Sequence, residues 1–353
     1  MEGFFIAEIY TEITRFKNIL TAWEEFRKGK KNKKDVLEFE YQLEENLFSL
    51  QRQLLDKTYL HSGYKKFHIK DPKLRLIHKA TVTDRLVHHL VSTHLEKIFE
   101  PDFITHSYSS RKNKGTHRAV LTFQGMANRV SNRGKNLCWV LKLDIKKFFA
   151  SISHQVLIGL LTKQIDDHDF LNILQIIIKS FPEKGVPIGN LTSQYFANIY
   201  LNQLDEFITK ELKIQYYIRY ADDFAILSKN RQVLLDLLPV IQEFLKRELD
   251  LELHPQKIIL RKFSSGVDFL GYVIFPTHIL PRTKTKRRLI KKIKQRIAEF
   301  KREAITKEKL KATINSYLGY LDHANAFDFK KELMEMIKNE LKIQDPKTKN
   351  PNP

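Results

Sequence analysis

Apolar residues recur at helical spacing over most of the chain, and short strand-like runs interrupt this pattern in its middle part. Residues 4–60 read as helices that the lysine-rich run 28–35 breaks. An amphipathic helix that begins at a Thr or Asp cap is predicted at 83–99. The same periodicity predicts helical segments at 153–180, 191–212, 231–249, 307–321 and 327–342.

Four stretches have the composition of β-strands. Residues 67–80 predict a hairpin that turns at Asp71-Pro72, and residues 137–144 predict a strand with a buried middle. A second hairpin is predicted at 215–228, with its tip at Ala221-Asp222-Asp223, and a final strand at 267–274. The resulting order of single helices, hairpins and strands, followed by helices alone, predicts an α+β fold.

The charge of the chain indicates a polyanionic partner. Lys and Arg number 61 against 41 Asp and Glu, which gives a net charge of +20 and a pI near 9.7. Nucleic acid or an anionic membrane surface would suit that excess. No apolar run approaches the roughly 20 residues of a spanning helix, so we expect no membrane association. The N-terminal residues do not read as a secretory signal, and we expect a cytoplasmic protein.

Cysteine chemistry is excluded by composition. Cys138 is the only cysteine, so the chain has no intramolecular disulfide and no zinc site built on cysteines. We interpret Cys138 as a small core residue of its strand.

The segment 282–311 holds 14 basic and 3 acidic residues. Its apolar residues recur at helical spacing, at Leu289, Ile293, Ile297 and Phe300, so one stripe is predicted to pack while the opposite face is positive. We interpret this basic end as a separate helical subdomain that contacts phosphates, followed by a disordered tail. A solvated basic helix and a docking surface for an acidic partner are the alternatives.

Two adjacent acids stand at the centre of an apolar hairpin. Burying Asp222 and Asp223 without partners would cost several kcal/mol each. Asp144 ends an equally apolar strand, so two strand ends could bring three acids together. Divalent metal would stabilise such a cluster, because Mg²⁺ takes carboxylates and phosphate oxygens as ligands. Solvated residues at a hairpin tip are the alternative.

The residues Tyr220-Ala221-Asp222-Asp223 resemble the YxDD box of reverse transcriptases. Further segments resemble motifs of the same family in the same order. Residues 141–152 are similar to the first-aspartate motif, and residues 269–272 to the primer grip. The remaining similar segments are 74–87 and 106–120, which resemble the fingers, and 253–260, which carries a lysine. Together they cover residues 65–275.

The resemblance implies a right-hand polymerase fold with fingers, palm and thumb. We expect an N-terminal helical extension at 1–62, fingers at 63–136 and a palm at 137–280. The palm would hold a helical insert at about 153–185, the helical thumb would span 281–342, and 343–353 would form the tail.

By the same resemblance the chain is an RNA-directed DNA polymerase that uses two Mg²⁺ ions, with Mn²⁺ as a substitute. The residues implied at the metals are Asp144, Ile145, Asp222 and Asp223. Lys257 would protonate the leaving pyrophosphate, or else be a solvated lysine at a strand edge. Phe149 would exclude the ribose 2′-hydroxyl, or else be a core residue; only one of Phe148 and Phe149 could face the site from a strand.

Binding residues follow from the resemblance as well. Arg75 would hold the triphosphate, with Lys66 or Lys70 as a second cation. The other residues implied at the nucleotide are Ile188, Gly189 and Gln194. Those implied at the primer grip are Phe269, Leu270, Gly271 and Tyr272, and those implied along the duplex are Arg287, Arg288, Lys291 and Lys292.

The segment 184–205 resembles the reverse transcriptases of diversity-generating retroelements. Ile188 stands where most reverse transcriptases have Gln, and it can neither donate nor accept a hydrogen bond, so selection of the correct base would weaken. The resemblance therefore implies error-prone copying, chiefly opposite template adenines. The implied partners are a template RNA, a DNA or RNA primer, dNTPs and a basic accessory variability protein that assembles as a pentamer.

Three alternatives stay open. Ile188 could only pack against a helix start, with fidelity set elsewhere. The chain could be another prokaryotic reverse transcriptase, of the retron or phage-defence type. It could also be a non-catalytic RNA-binding scaffold, although the intact acids speak against this.

Two clusters of metal-binding residue types are interpreted as structural. The run 164–170 holds Asp166, Asp167, His168 and Asp169, but consecutive residues rarely face one ion, and we predict a solvated loop between helices. His88, His89 and His94 share one helix, yet His89 and His94 are five apart, which does not match the spacing of a helical metal pair. Packing or surface positions are expected.

Overall fold

The computed structural model describes residues 9–70, 74–182 and 184–342. These residues divide into two compact units. The first unit takes the described residues of 1–113, 142–225 and 235–258, and the second takes those of 114–141, 226–234 and 259–353. The predicted turn at Asp71-Pro72 and the predicted tail at 343–353 lie outside the described residues.

The predicted helices are confirmed within a few residues at each end. Residues 28–33 separate helices, as expected from the lysine-rich run. The α-helices are α1 (Ile9–Thr14), α2 (Phe16–Arg27), α3 (Lys34–Tyr41), α4 (Leu43–Leu55), α5 (Val82–Phe99), α6 (Thr116–Val130), α7 (Phe148–Ser151), α8 (His154–Thr162), α9 (His168–Lys179), α10 (Leu191–Glu206), α11 (Arg231–Leu249), α12 (Thr283–Lys301), α13 (Lys307–Leu321) and α14 (Phe327–Lys342).

The predicted hairpins are confirmed, and the mixture of helices and antiparallel strands confirms the α+β class. Strand β1 pairs with β2 in an antiparallel hairpin, and β4, β5 and β3 lie side by side in that order. The strands are β1 (Lys65–Lys70), β2 (Leu74–Lys79), β3 (Trp139–Asp144), β4 (Tyr217–Tyr220), β5 (Asp223–Ser228), β6 (Ile259–Lys262), β7 (Val267–Phe269), β8 (Tyr272–Ile274) and β9 (Ile279–Pro281).

The predicted cap of α5 is wrong by two residues. The cap is Thr81, whose hydroxyl oxygen accepts a hydrogen bond from the Asp84 backbone N–H at 3.2 Å. The Thr81 hydroxyl also donates to the Asp84 carboxylate at 2.6 Å. Asp84 thus stands at the third helical position, where an acid reaches back to the cap. Thr83 and Asp84 therefore belong to the first turn.

The predicted single strand at 267–274 is also wrong. Leu270 and Gly271 both have positive φ, at 50° and 92°, and they form a two-residue turn between β7 and β8. Such a turn matches the twist of an antiparallel pair, so the chain reverses its direction here and forms two strands where one was predicted. Strand β9 then pairs with β8.

The C-terminal helices of the second unit pack as the sequence predicts. Leu289, Ile293 and Ile297 of α12 are buried, and Phe300 is partly buried against the same cluster. Leu321 of α13 and buried residues of α14 complete this cluster. Among the described residues, no helix is long and apolar enough to cross a membrane.

Helix α5 packs against α2 and α10 in the first unit, and a histidine lies within that packing. His88 is 1% exposed. Its Nε2 lies 3.0 Å from Nε2 of His61, and its Nδ1 lies 3.4 Å from the Thr192 hydroxyl. The packing interpretation of His88 is therefore confirmed. Burial, and then the neighbouring His61, lower the pKa of His88 to about 3.

We predict that His88 makes the fold sensitive to acid. The unfolded chain takes up a proton at His88 below about pH 6.5 while the folded chain does not, so stability falls as the pH drops below that value. Between pH 7 and pH 4.5, His88→Gln should remove about 2–3 kcal/mol of the pH-dependent loss in unfolding free energy. Urea unfolding at both pH values measures this difference.

His89→Gln is the matched control, since His89 lies on the same helix and is only partly buried. It should leave the pH dependence close to that of the unmodified chain. An equal effect of both variants would contradict the assignment to His88.

Candidate active site

The tip between β4 and β5 consists of Ala221 and Asp222. Ala221 has φ +53°, a left-handed conformation that costs a residue with a Cβ roughly 1–2 kcal/mol. The Arg219 guanidinium donates a hydrogen bond from Nη1 to the Ala221 carbonyl oxygen at 3.2 Å. A side chain from β4 therefore stabilises the unusual backbone that precedes Asp222.

Arg219 is itself held by a buried ion pair. Its Nε donates to Oδ1 of Asp205 at 2.7 Å and its Nη2 to Oδ2 at 2.6 Å, and both side chains are 0% exposed. The Tyr217 hydroxyl donates to the same carboxylate at 2.7 Å, and Arg219 Nη1 reaches the Asn198 side chain at 3.3 Å. Asp205 and Asn198 lie on α10, so this helix fixes the tip from beneath.

Asp144 and Asp222 are neighbours across two strand ends. The Ile145 backbone N–H donates to the Asp222 carbonyl oxygen at 3.2 Å, which joins the residue after Asp144 directly to the tip. The His254 backbone N–H donates to the Asp144 carbonyl oxygen at 2.8 Å. Burial, and then the negative charge of Asp144, raise the pKa of Asp222. The backbone therefore brings the strand end at Asp144 next to Asp222, and the roles of these acids stay a prediction.

Two lysines compensate the clustered negative charge. Lys257 Nζ lies 2.5 Å from Oδ1 of Asp144, and Lys142 Nζ lies 3.1 Å from Oδ2 of Asp223. Burial raises the pKa of Asp223 to about 6, and Lys142 opposes that rise. Oδ1 of Asp223 is buried and accepts no hydrogen bond from any described residue.

The ligand chemistry of this site fits a divalent cation. Carboxylate and carbonyl oxygens are the donors that Mg²⁺ prefers, and the repulsion between Asp144 and Asp222 would be relieved by bound positive charge. The unsatisfied oxygen of Asp223 is a further hard donor. Among the described residues, no group of three or more His, Cys, Asp or Glu side chains is already arranged to hold a metal ion. The predicted ligand set stays a prediction.

The predicted nucleotide residues come from two segments that touch. The His78 backbone N–H of β2 donates to the Ile188 carbonyl oxygen at 3.1 Å. Arg75 lies on the same strand, and its positive charge opposes part of the rise that burial causes in the pKa of Asp222. Gln194 is exposed in the first turn of α10. Lys66 and Lys70 are exposed on β1, opposite His78 and Leu74 respectively.

Phe148 and Phe149 lie in a short helix, which corrects the expectation that they alternate along a strand. Both residues begin α7 after Lys147, which has φ +48°. Phe148 is 2% exposed and packs in the core, with its ring centroid 5.3 Å from that of Phe149. Phe149 is the partly exposed member of the pair, and its role as a gate stays a prediction.

The remaining predicted residues lie in the second unit. The primer-grip prediction falls on the β7–β8 turn, where Phe269 and Tyr272 are buried and Leu270 and Gly271 form the turn. The Gly271 carbonyl oxygen accepts a hydrogen bond from the Tyr320 hydroxyl at 2.9 Å. On α12, Arg287, Arg288 and Lys291 are exposed, and Lys292 is partly buried.

Comparison with known proteins places this site in a family. Residues 65–274 match the sequence model described as "Reverse transcriptase (RNA-dependent DNA polymerase)". The chain belongs to the reverse transcriptase family. The match spans the carboxylates, both lysines and the hairpin with Arg75, so the predicted family is confirmed.

Curated relatives of this reverse transcriptase are distant. Protein YkfC of Escherichia coli (strain K12) is 25% identical over 242 residues, which cover 57% of this chain and 63% of that protein. The group II intron-encoded protein LtrA of Lactococcus lactis subsp. cremoris is 25% identical over 305 residues, which cover 65% of this chain and 50% of that protein. The chain thus spans less than two thirds of each relative's length.

Similar solved structures include apo telomerase from Candida tropicalis. It has a TM-score of 0.48 and 12% identity, and the similarity covers 67% of this chain and 52% of that one. Telomerase from Candida albicans, in complex with a fragment of telomeric RNA, has a TM-score of 0.48 and 11% identity, covering 84% and 64%.

Sequence reasoning missed four residues that shape this reverse transcriptase site: Lys142, Asp205, Arg219 and Asn190. Arg219 stands inside an apolar strand and Asp205 inside a mostly buried helix, and a charge in such a position is a signal of a buried pair. Lys142 alternates with buried neighbours on β3. Asn190 gave no sequence signal beyond its place before a helix.

We predict that the buried ion pair is a major determinant of stability. Asp205→Asn leaves the Arg219 charge without its carboxylate, and should lower the free energy of unfolding by about 3–5 kcal/mol. Chemical denaturation followed by circular dichroism measures the loss.

Asp250→Asn is the control, because it removes the carboxylate of an exposed ion pair with Lys184, whose Nζ lies 2.6 Å away. Exposed pairs contribute at most about 1 kcal/mol. Similar small losses in both variants would show that the buried pair is dispensable.

Proposed function

We propose that the chain is an RNA-directed DNA polymerase that copies a template RNA into cDNA. The observation that carries the proposal is the meeting of Asp144 and Asp222 at two joined strand ends within the segment that matches the reverse transcriptase family. When bound at these oxygens, two Mg²⁺ ions would activate the primer 3′-oxygen and stabilise the leaving pyrophosphate, with Mn²⁺ as a substitute.

The chain's own side chains would bind the nucleotide and move a proton. Arg75 would take the triphosphate, since a guanidinium matches phosphate oxygens with paired donors. Lys257 is held at Asp144, where its ammonium group could donate a proton to the departing pyrophosphate. The half-buried ring of Phe149 would fill the space of a ribose 2′-hydroxyl. The exposed cations of α12 would contact duplex phosphates, which gives affinity without sequence preference.

We further propose that copying is error-prone, as in the reverse transcriptases of diversity-generating retroelements. Ile188 supports this, because its carbonyl oxygen docks on β2 while its partly exposed side chain offers no hydrogen bond to a base. The accessory pentameric protein is proposed from the resemblance alone. The similarity to a group II intron-encoded protein favours a second candidate, a reverse transcriptase of the group II intron type.

The polymerase proposal predicts that Asp222→Asn abolishes incorporation of dNTPs on an RNA template. A lost ligand removes several kcal/mol of transition-state stabilisation, so the rate should fall about 10³-fold or more. Primer extension with Mg²⁺ measures the rate. Asp166→Asn, at an exposed acid of the α8–α9 loop, should leave it unchanged. An active Asp222→Asn enzyme would refute the proposed mechanism.

The fidelity proposal predicts that Ile188→Gln lowers misincorporation opposite template adenine by roughly 10-fold, the effect of one discriminating contact. Sequencing of cDNA made from a defined RNA gives the error spectrum. Ile188→Leu is the matched control and should keep the original errors, because it also lacks hydrogen-bonding groups. An unchanged spectrum in Ile188→Gln would remove Ile188 from the fidelity proposal.

A further inference from the structure

Asn190 stands at the start of α10 but does not cap it. It occupies the N-cap position with φ −109° and ψ 150°, and its side chain makes no capping hydrogen bond. Asn is favoured at N-caps because its side-chain oxygen can accept from the first free N–H groups of the helix. Here the side chain is 2% exposed and must find other partners.

Those partners belong to the backbone of β2 and of the residue that follows it. Asn190 Nδ2 donates to the His78 carbonyl oxygen at 2.9 Å, and Oδ1 accepts from the Ala80 backbone N–H at 3.4 Å. The His78 backbone N–H donates to the Ile188 carbonyl oxygen at 3.1 Å. The segment 188–190 therefore binds the edge of β2 that β1 leaves open. The side-chain amide of Asn190 pairs with this edge as the backbone amide of a neighbouring strand would.

Gly189 allows the two segments to approach this closely. It has φ +115°, and a Cβ built on it would lie 2.7 Å from Cγ2 of Ile77. Side chains alternate along a strand, so Ile77 and Arg75 lie on the same face of β2. The contact with Gly189 thus marks the face from which Arg75 extends.

These hydrogen bonds, which we call the anchor, lie at the base of the β1–β2 hairpin, whose outer part is exposed. All six residues of β1 and the first three of β2 are exposed. From His78 to Arg75 the strand extends about 10 Å, so a tilt of roughly 10° at the anchor would move Arg75 by about 2 Å. A misplacement of about 1 Å at a reacting group can cost 10²-fold in rate.

We propose that Asn190 is a positioning residue, which holds β2 on the segment 188–190 and so sets Arg75 for the triphosphate of the incoming nucleotide. The proposal rests on the proposed polymerase function. Asn190 acts through Arg75 and is not itself a catalytic residue. Other contacts at the base of the hairpin, such as the ion pair of Lys79 with Asp35 at 2.7 Å, keep the hairpin attached when Asn190 is replaced.

The test is steady-state primer extension by Asn190→Ala on an RNA template. The KM for dNTP should rise about 10-fold or more, while kcat per active site and the affinity for primer-template change less than about 3-fold. The concentration of active sites is measured from the amplitude of the pre-steady-state burst. A merely structural role would instead lower the number of active sites at unchanged KM, and that result would overturn the proposal.

A double variant tests whether the effect passes through Arg75. If it does, Asn190→Ala in an Arg75→Ala background raises the KM no further. Multiplication of the two effects would overturn the proposal. Asn128→Ala is the control, since Asn128 also donates from Nδ2 to a main-chain carbonyl, that of Pro276 at 3.1 Å, and should leave the dNTP KM unchanged.

The failure of this inference differs from the failure of the proposed function. An unmodified chain that incorporates no dNTP on RNA would refute the polymerase. An active unmodified chain with no KM effect in Asn190→Ala would refute only the role of Asn190.

Discussion

The ion pair between Arg219 and Asp205 is the interaction on which the geometry of the candidate site depends. Both groups are removed from water, which is tolerable because two parallel hydrogen bonds join guanidinium and carboxylate and because Tyr217 and Asn198 use further donor and acceptor capacity. The remaining Arg219 donor reaches the Ala221 carbonyl oxygen. A lysine could not replace this side chain, since one ammonium group cannot serve a carboxylate and a turn at fixed angles.

Helix α10 links the two halves of the site within the first unit. At its start, Asn190 binds the strand that carries Arg75, and near its end Asp205 holds the arginine beneath Ala221. A helix of 16 residues is about 24 Å long and stiff. The hairpin that carries Arg75 and the turn that carries Asp222 are therefore both held by one rigid element, which is how precise sites are usually supported.

The three carboxylates at and beside the β4–β5 tip are an unfavourable arrangement for the folded chain by itself. Burial first, and then repulsion by the neighbouring carboxylates, raise the pKa of Asp222 and of Asp223. Lys257 and Lys142 offset part of this negative charge. Unbalanced charge of this kind is typical of functional sites, where a bound ligand supplies the opposite charge.

The sequence by itself determined most of the helices, the two hairpins, the α+β class and the three acids, because these follow from local periodicity and from motifs of fixed spacing. It predicted the buried apolar stripe of α12 for the same reason. Only the tertiary structure decided the turn at Leu270-Gly271, the helical backbone at Phe148, and the partners of Asp205, Arg219 and Asn190. Those features depend on contacts between residues that are far apart in the sequence. The partner of a buried polar group therefore cannot be identified from the residues next to it.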